Sequence, residues 1–157
     1  MIEEHLEFEE RPENIIIVKS TLRNPHPLVH HAKVQLKNPY TDHYKRCSGR
    51  GNCLSISVGK NSIQRALLIL DALIRALEKR GFQTHVGKEY GETTRVLING
   101  EEISFSIQES SKRILNPSPK YEGRLSYLDN VYEYVPTGKL TLRINEYYQG
   151  EKSVSDG

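Results

Sequence analysis

The 157-residue sequence contains no tryptophan, one methionine and two cysteines. Two cysteines, Cys47 and Cys53, are too few to form the disulfide framework of a small secreted domain. The acidic start MIEEHLEFEE differs from a secretory signal peptide, which begins with a basic segment. The most apolar stretch, residues 61–80, carries Asp71 and Arg75 and is too polar to span a bilayer. These absences predict a cytoplasmic protein without a membrane partner.

The chain also lacks internal repeats, coiled-coil heptads and low-complexity tracts. A length of 157 residues is typical of one domain with its own hydrophobic core. We predict an acidic leader at residues 1–13, a single domain at residues 14–146 and a polar tail at residues 147–157. The leader is expected to be flexible, or helical only where it contacts the domain.

Residues 61–80 give the strongest secondary-structure signal. Apolar side chains recur at the spacing of one helix face, at Ile63, Ala66, Leu67, Leu70, Leu73, Ile74 and Leu77. Asn61 or Ser62 can cap the first turn, and Gly81 suits the left-handed residue that often ends a helix. The pattern predicts a long amphipathic helix at the centre of the core.

The apolar face of this helix is wider than one stripe, because Leu68 extends it. Two explanations are open. Other elements of the same domain cover the flank, or a partner chain or a second copy covers Leu68. Within the helix, Asp71 and Arg75 have the spacing of an ion pair.

The remaining segments predict mainly strands. The apolar and β-branched patterns place them at residues 14–18, 53–58, 82–86, 93–109 (as a hairpin) and 139–146. Pro27 opens a short helix at residues 28–37. Residues 110–138 are expected to form a long irregular segment, which tyrosines tether to the surface; these are Tyr121, Tyr127, Tyr132 and Tyr134.

The Asn99-Gly100 pair predicts a type I′ turn in the hairpin. A two-residue turn there pairs Ile98 with Glu101 and Val96 with Ile103. Hairpins after a single long helix favour an α+β fold. We predict an antiparallel-dominated sheet of about five strands with the long helix packed across it, plus a short N-terminal helix. Residues 53–58 and 82–86 flank the long helix and can pair in parallel through a right-handed crossover.

Charge is distributed unevenly along the chain. Residues 1–13 contain six Glu and one Arg, which gives a charge of −5. Because the net charge of the whole chain is +2, the remaining residues carry +7. Residues 19–60 contain eight Lys or Arg against the single carboxylate of Asp42. A basic body suits an anionic partner, which the acidic leader can screen. A solvated basic face without a ligand is the alternative.

Two basic segments are candidate nucleic-acid contacts. Lys45, Arg46 and Arg50 lie in a glycine-containing loop near Tyr40 and Tyr44. The second segment contains Lys112, Arg113, Lys120 and Arg124, with Tyr121 and Tyr127. Basic loops with aromatic residues can contact phosphates and bases, whereas the loop sequence SGRGN lacks the Gly-Lys-Ser/Thr of a phosphate loop. The predicted nucleic-acid-binding residues are Lys45, Arg46, Arg50, Lys112 and Arg113.

Enzymatic alternatives have weaker signals, and we predict no cofactor. Histidines and both cysteines cluster between residues 26 and 53, at His26, His30, His31, His43, Cys47 and Cys53, but their spacing matches no familiar zinc finger. They also fit loop histidines and a core thiol. A cysteine nucleophile would need a neighbouring histidine, and no sequence context specifies one. A metal-dependent, nuclease-like hydrolase could use carboxylates on or near the hairpin, at Glu89, Glu92, Glu101, Glu102 and Glu109, with Lys112.

Three stretches together resemble the C-terminal region of a group of uncharacterised bacterial proteins. They are NPHPLV at residues 24–29, GRGNCL followed by RALLILDALIRALEKRGF within residues 49–82, and YVPTGKLTLRI at residues 134–144. A short helix-turn-helix-like segment often precedes this region in the group. The resemblance covers residues 20–157. It implies a bacterial, cytoplasmic protein with a DNA-associated or regulatory role, and it supplies no catalytic residues.

This chain departs from the group before Asn24, where it has only the acidic leader and NIIIV. DNA binding by an upstream helix-turn-helix therefore does not transfer to these residues. Residues and resemblance together predict a non-enzymatic, nucleic-acid-associated or regulatory domain that binds an anionic partner through basic loops. The alternatives are a protein-interaction or oligomerisation module using the face near Leu68, and the metal-dependent hydrolase.

Overall fold

The computed structural model describes residues 2–88, 93–115 and 132–145. Within these residues the helices are α1 (Ile2–Glu10), α2 (Pro27–Gln35) and α3 (Ile63–Lys79). The strands are β1 (Tyr40–Thr41), β2 (Cys47–Ser48), β3 (Ile56–Ser57), β4 (Thr84–His85), β5 (Arg95–Ile98), β6 (Glu101–Leu115) and β7 (Tyr132–Ile144). Short 3-10 turns occupy Pro12–Asn14 and Lys60–Ser62.

The main sheet has five strands in the order β3-β6-β5-β4, with β7 also paired to β6. Strand β3 runs parallel to β6, and the other three pairings are antiparallel. The α+β class is therefore confirmed, and the sheet is mixed. The suggested parallel pairing of residues 53–58 with residues 82–86 is wrong, because β3 pairs with β6 and β4 pairs with β5.

The β5–β6 hairpin forms in the predicted register. Ile98 lies opposite Glu101, and Val96 lies opposite Ile103. Both turn residues have positive φ, +50° at Asn99 and +85° at Gly100, as a type I′ turn requires. Glycine adopts this conformation without the penalty that a Cβ atom imposes, so the local sequence specifies the register.

Helix α3 ends as its sequence predicts. Gly81 has φ of +85°, its amide donates to the Glu78 carbonyl, and the Phe82 amide donates to the Leu77 carbonyl. This hydrogen-bond pair is a Schellman motif, which satisfies carbonyls that the last helical turn leaves unpaired. At the other end Ser62 occupies the predicted N-cap position, although its side chain makes no capping hydrogen bond.

Helix α3 and the sheet form one hydrophobic core. Leu67, Leu70 and Ile74 are at most 1% exposed and pack with α2 and with alternate residues of the strands. Burial of each such side chain stabilises the fold by about 1.5–3 kcal/mol before the entropy cost of ordering the chain. The predicted i, i+4 pair also forms, with Arg75 Nε 3.1 Å from Asp71 Oδ2.

The segment at residues 14–18 is not a strand, contrary to prediction. It follows the 3-10 turn with extended backbone at Ile15, and it has no ladder partner in the described part of the chain. Its β-branched side chains are about half exposed or more, at 59% for Ile15, 51% for Ile16, 72% for Ile17 and 48% for Val18. β-Branched composition favours extended backbone, but it does not provide the second strand that a ladder needs.

The acidic leader forms helix α1, which docks on the end of α3. Arg80 Nε donates to Glu9 Oε1 at 2.6 Å, and the Arg80 guanidinium lies 5.3 Å from the centroid of the Phe8 ring. The hydrogen bond from Arg80 lowers the pKa of Glu9. Lys79 Nζ donates to the Glu13 carbonyl at 2.5 Å. These contacts agree with a leader that is helical where it touches the domain.

The irregular segment predicted at residues 110–138 is partly wrong. Strand β6 continues to Leu115, and β7 begins at Tyr132, so the two form a long ladder with a register shift between Glu109 and Ser111. We call the part of this ladder from Ser111 to Leu115 and from Tyr132 to Pro136 the ribbon. Residues 116–131 and 146–157, including Tyr121, Tyr127 and the predicted tail, lie outside the described residues. No helix in the described ranges is long and apolar enough to cross a membrane.

Candidate functional site

The turn between β1 and β2 carries two of the predicted basic residues, and Asp42 organises it. The Oδ1 atom of Asp42 accepts hydrogen bonds from the amides of Tyr44 and Arg46, each at 2.9 Å. Its Oδ2 atom accepts from Arg46 Nε at 3.1 Å. Lys45 takes a positive φ of +60°, as one residue of a tight turn often does. The turn is therefore a defined structure and not the irregular loop that its composition suggested.

This turn docks on the ribbon through side chains distant in sequence. The Ser111 hydroxyl donates to the Tyr44 carbonyl at 2.9 Å. The Tyr44 and Tyr134 rings meet edge to face with centroids 4.7 Å apart, and the His43 ring lies 5.1 Å from Tyr134. Edge-to-face contacts of this kind stabilise by about 0.5–1.5 kcal/mol beyond area burial. The docking brings the two basic segments to one surface.

The ladder register determines which ribbon side chains share a face. Arg113 lies directly opposite Tyr134, and its guanidinium carbon is 4.3 Å from the centroid of the Tyr132 ring. Since side chains alternate between faces along a strand, Arg113, Tyr132 and Tyr134 share one face. Lys112 and its opposite residue, Val135, belong to the other face.

We call the assembly of turn and ribbon the basic–aromatic surface. It consists of His43, Tyr44, Lys45, Arg46, Arg113, Tyr132 and Tyr134. Of the five predicted contacts, it contains Lys45, Arg46 and Arg113. Lys112 projects from the opposite ribbon face. Lys45 reaches towards that face as well, because its partner Glu133 lies opposite Ile114 in the ladder.

Arg50 lies at the other end of the β1–β2 hairpin and makes structural contacts. Its guanidinium donates to the carbonyl of Asn38 at 3.1 Å and to that of Pro39 at 3.2 Å. Its amide donates to Gln35 Oε1 at 3.2 Å. These bonds tie the hairpin to the end of α2. The structure therefore separates Arg50 from the other predicted residues.

The cations of the two segments differ in their pairing. Lys45 Nζ lies 3.1 Å from Glu133 Oε2, and Arg46 is paired with Asp42. Within residues 2–88, 93–115 and 132–145, no carboxylate lies within ion-pair distance of Lys112 or Arg113. A phosphate can approach an unpaired cation without displacing a carboxylate, so Arg113 is the better-placed contact on the basic–aromatic surface. Lys112 is also without a carboxylate in the described ranges, but it lies on the other ribbon face.

Glu109 anchors the base of the ribbon. It is 2% exposed, and its two carboxylate oxygens accept hydrogen bonds from the amides of Gly59 at 3.0 Å and Gly138 at 2.7 Å. A Cβ atom at Gly59 would lie 2.6 Å from Pro136 Cγ, so only glycine fits there. The carboxylate thus joins the start of the α3 region to both ribbon strands, and both of its oxygens are engaged.

The residues of the enzymatic alternatives are dispersed. No group of three or more His, Cys, Asp or Glu side chains that could hold a metal ion occurs in the part of the chain that the structure describes. His43 packs against tyrosine, and Cys47 is buried. Glu102 pairs with Arg95 at 2.7 Å, while Glu89 and Glu92 lie outside the described ranges. Burial raises the pKa of the Cys53 thiol to about 11, which disfavours the nucleophilic thiolate.

A separate concavity of ≈ 660 Å³ lies beside the β4–β5 ladder. Its lining includes Leu28, His85, Lys88, Arg95 and Glu102. Part of its positive charge is neutralised by the Arg95–Glu102 ion pair. Because the predicted residues and the exposed rings lie elsewhere, the basic–aromatic surface is the better candidate site.

Two residues that organise this surface were not identified from the sequence. Asp42 was counted only as a charge. An aspartate side chain that accepts a hydrogen bond from the backbone amide two residues later is nevertheless a known feature of turns. Ser111 has no local signal, because its partner lies 67 positions away. Comparison with known proteins gave no match to a family model, a curated protein or a solved structure.

Proposed function

We propose that this chain is a non-enzymatic domain that binds nucleic acid through the basic–aromatic surface, in a bacterial, cytoplasmic and regulatory setting. The observation that carries the proposal is the position of Arg113. It has no carboxylate partner among the described residues, and its guanidinium carbon lies over the Tyr132 ring, 4.3 Å from the centroid, at the exposed end of the ribbon. A cation beside an exposed ring offers one group for a phosphate and another for a base.

Neighbouring residues support the same function. Tyr44 and Tyr132 are exposed by 41% and 45%, so a ligand can reach both residues together with the guanidiniums that lie over their rings. Arg46 lies 4.7 Å from the centroid of the Tyr44 ring, which repeats the arrangement of Arg113 and Tyr132. Two guanidinium–tyrosine pairs therefore lie on one assembly of turn and ribbon.

Titration of fluorescently labelled DNA and RNA at about 50 and about 200 mM salt tests this function. We expect micromolar binding at the lower salt and a marked loss at the higher salt, because phosphate contacts release counterions. Arg113→Ala should weaken binding, whereas Arg23→Ala, a charge-matched change at an exposed position, should not. Absence of salt-sensitive binding at micromolar protein would reject the proposal.

Self-association is a second candidate function, favoured by the exposed segment at residues 15–18. This segment and α3 border a groove of ≈ 170 Å³ whose lining includes Leu68 and Ala72. In the described part of the chain, the amides of residues 16–18 have no backbone hydrogen-bond partner. A segment whose amides lack backbone partners and whose side chains are β-branched can pair as a strand with the same segment of a second copy.

Light scattering at several protein concentrations tests self-association. We expect wild type to form a dimer that Ile17→Lys or Leu68→Glu dissociates. Leu97→Lys is the control, because Leu97 is also exposed but lies on β5. A wild-type monomer at all concentrations would exclude this function without affecting nucleic-acid binding.

A further inference from the structure

We infer that the ligand of the basic–aromatic surface is single-stranded nucleic acid, whose unpaired bases stack on the tyrosines of the Arg113 face. This inference rests on the proposed function and specifies its substrate class. Three arguments support it: the spacing of the rings on the ribbon, the accessibility of base faces in a single strand, and the placement of Arg113 and Lys112 on opposite ribbon faces.

Ring spacing is the first argument. Tyr132 and Tyr134 are two residues apart on β7, so they lie on one face and are separated by about 6.6–6.8 Å along the strand. Tyr44 borders this row without continuing its plane, because its ring meets Tyr134 edge to face, with centroids 4.7 Å apart and ring planes at 73°. A row of tyrosines on a sheet surface can accept successive bases, as stacking platforms of single-strand-binding proteins do.

Base accessibility is the second argument. In a duplex each base is stacked between its neighbours, so it offers the protein an edge and not a face. Unpaired bases offer faces to tyrosine and to guanidinium planes. On this surface the guanidiniums of Arg46 and Arg113 already lie against ring faces. The surface thus presents tyrosine rings and guanidinium groups to a ligand whose unpaired bases can stack on them.

Face selection is the third argument, and it provides an internal control. Arg113 and Lys112 are neighbours with the same charge, yet the ladder places them on opposite faces of the ribbon. A strand of bases lying on the tyrosines reaches Arg113 and not Lys112. A ligand attracted only by net charge would respond equally to the loss of either residue.

Fluorescence anisotropy with labelled oligonucleotides of about 20 nucleotides tests the inference. The probes are oligo-dT, oligo-U and a duplex of the same length. We expect the single strands to bind more tightly than the duplex. Tyr132→Leu should weaken single-strand binding by about 5- to 100-fold, and Tyr132→Phe, which keeps the ring, should restore most of it. Arg113→Ala should weaken binding more than Lys112→Ala.

The possible outcomes separate this inference from the proposed function. If no probe binds at low salt, the proposed function fails, and the inference fails with it. If the duplex binds as tightly as the single strands and Tyr132→Leu binds like wild type, the function stands and the inference is overturned. Equal losses from Arg113→Ala and Lys112→Ala would also overturn it. Circular dichroism of each variant shows whether a loss of binding arises from unfolding. If Tyr132→Leu unfolds, binding by Tyr132→Phe decides whether the ring is what the ligand needs.

Discussion

The hydroxyl of Ser111 donates a hydrogen bond to the carbonyl oxygen of Tyr44 at 2.9 Å, across 67 positions of sequence. This bond holds the β1–β2 turn on strand β6. Without it, the contacts of the Tyr44 and His43 rings with Tyr134 remain between turn and ribbon, together with the exposed Lys45–Glu133 pair. An exposed ion pair contributes little, so the hydroxyl and the rings hold the tip of the turn on the ribbon. The backbone bridge between Cys47 and Val58 ties the base of the same hairpin to the segment that follows β3.

The first prediction concerns this contact. Ser111→Ala should lower the free energy of unfolding by about 0.5–1.5 kcal/mol, because one side-chain hydrogen bond is lost. Urea denaturation monitored by circular dichroism measures the change. Ser106→Ala is a matched control, because it removes the hydroxyl of another half-buried serine on the same strand. Equal stability of the two variants would contradict a role for Ser111 in docking.

Glu109→Gln should destabilise the fold by about 1–3 kcal/mol. The amide group of glutamine provides one oxygen and one NH₂ group, so it cannot accept from both Gly59 and Gly138, and a buried N–H loses its partner. Urea denaturation measures the loss. Glu101→Gln, at the exposed hairpin turn, makes the same chemical change and should alter stability by less than about 0.5 kcal/mol. A neutral effect of Glu109→Gln would show that the anchor is dispensable.

Cys53 should react slowly with iodoacetamide in the folded protein. Burial raises its pKa from 9.0 to about 11, and two pKa units lower the thiolate fraction at pH 8 by about 100-fold. Mass spectrometry after timed alkylation, with and without urea, measures the rates, and Cys53→Ser identifies the modified thiol. Rapid alkylation of Cys53 in the native protein would contradict the raised pKa.

The same pKa shift predicts a direction for the pH dependence of stability. The folded protein keeps the Cys53 proton to a higher pH than the unfolded chain does. The contribution of this group is therefore fully present below the unfolded pKa of about 9 and is lost as the pH rises towards 11. Cys53→Ser should show a smaller decline in stability than wild type across that range.

His26→Ala should lower the free energy of unfolding by about 1 kcal/mol. His26 Nδ1 accepts a hydrogen bond from the Leu28 amide at 3.2 Å, and Nε2 lies 2.6 Å from Glu78 Oε1. The substitution removes the side-chain cap of α2 and the contact with Glu78 on α3, whereas the hydrogen bond from the residue 26 backbone amide to Asp71 remains. His30→Ala, on the exposed side of α2, is the control and should be near neutral. Denaturant unfolding of both variants provides the comparison.

Locally encoded features were predicted correctly. The apolar spacing of α3, Gly81 at its end and the Asn99-Gly100 turn each act over a few residues, and each forms as expected. Segments that depend on distant partners were not. Residues 14–18 have strand composition but no ladder partner in the described chain, whereas residues 110–115 have weak strand composition and pair with β7. Pairing across a long loop is not encoded in either segment alone.

The candidate site shows the same limit. Composition identified Lys45, Arg46, Arg50, Lys112 and Arg113 as five equivalent cations. Their differences arise from tertiary contacts, namely the ion pair of Lys45 with Glu133 and the carbonyl contacts of Arg50. The opposite facing of Lys112 and Arg113 follows from the ladder register. The sequence alone does not show which strands pair, so it cannot show how these five cations differ.

The basic–aromatic surface is assembled from three segments that are far apart in the chain. Tyr44, Arg113 and Tyr132 come together only when the ladder has formed and the turn has docked. No isolated peptide from the turn or from either strand contains the whole surface. A ligand bound there would therefore select the folded chain over the unfolded one. At a ligand concentration about 100 times the dissociation constant, it would add about 2.7 kcal/mol to the stability of the fold.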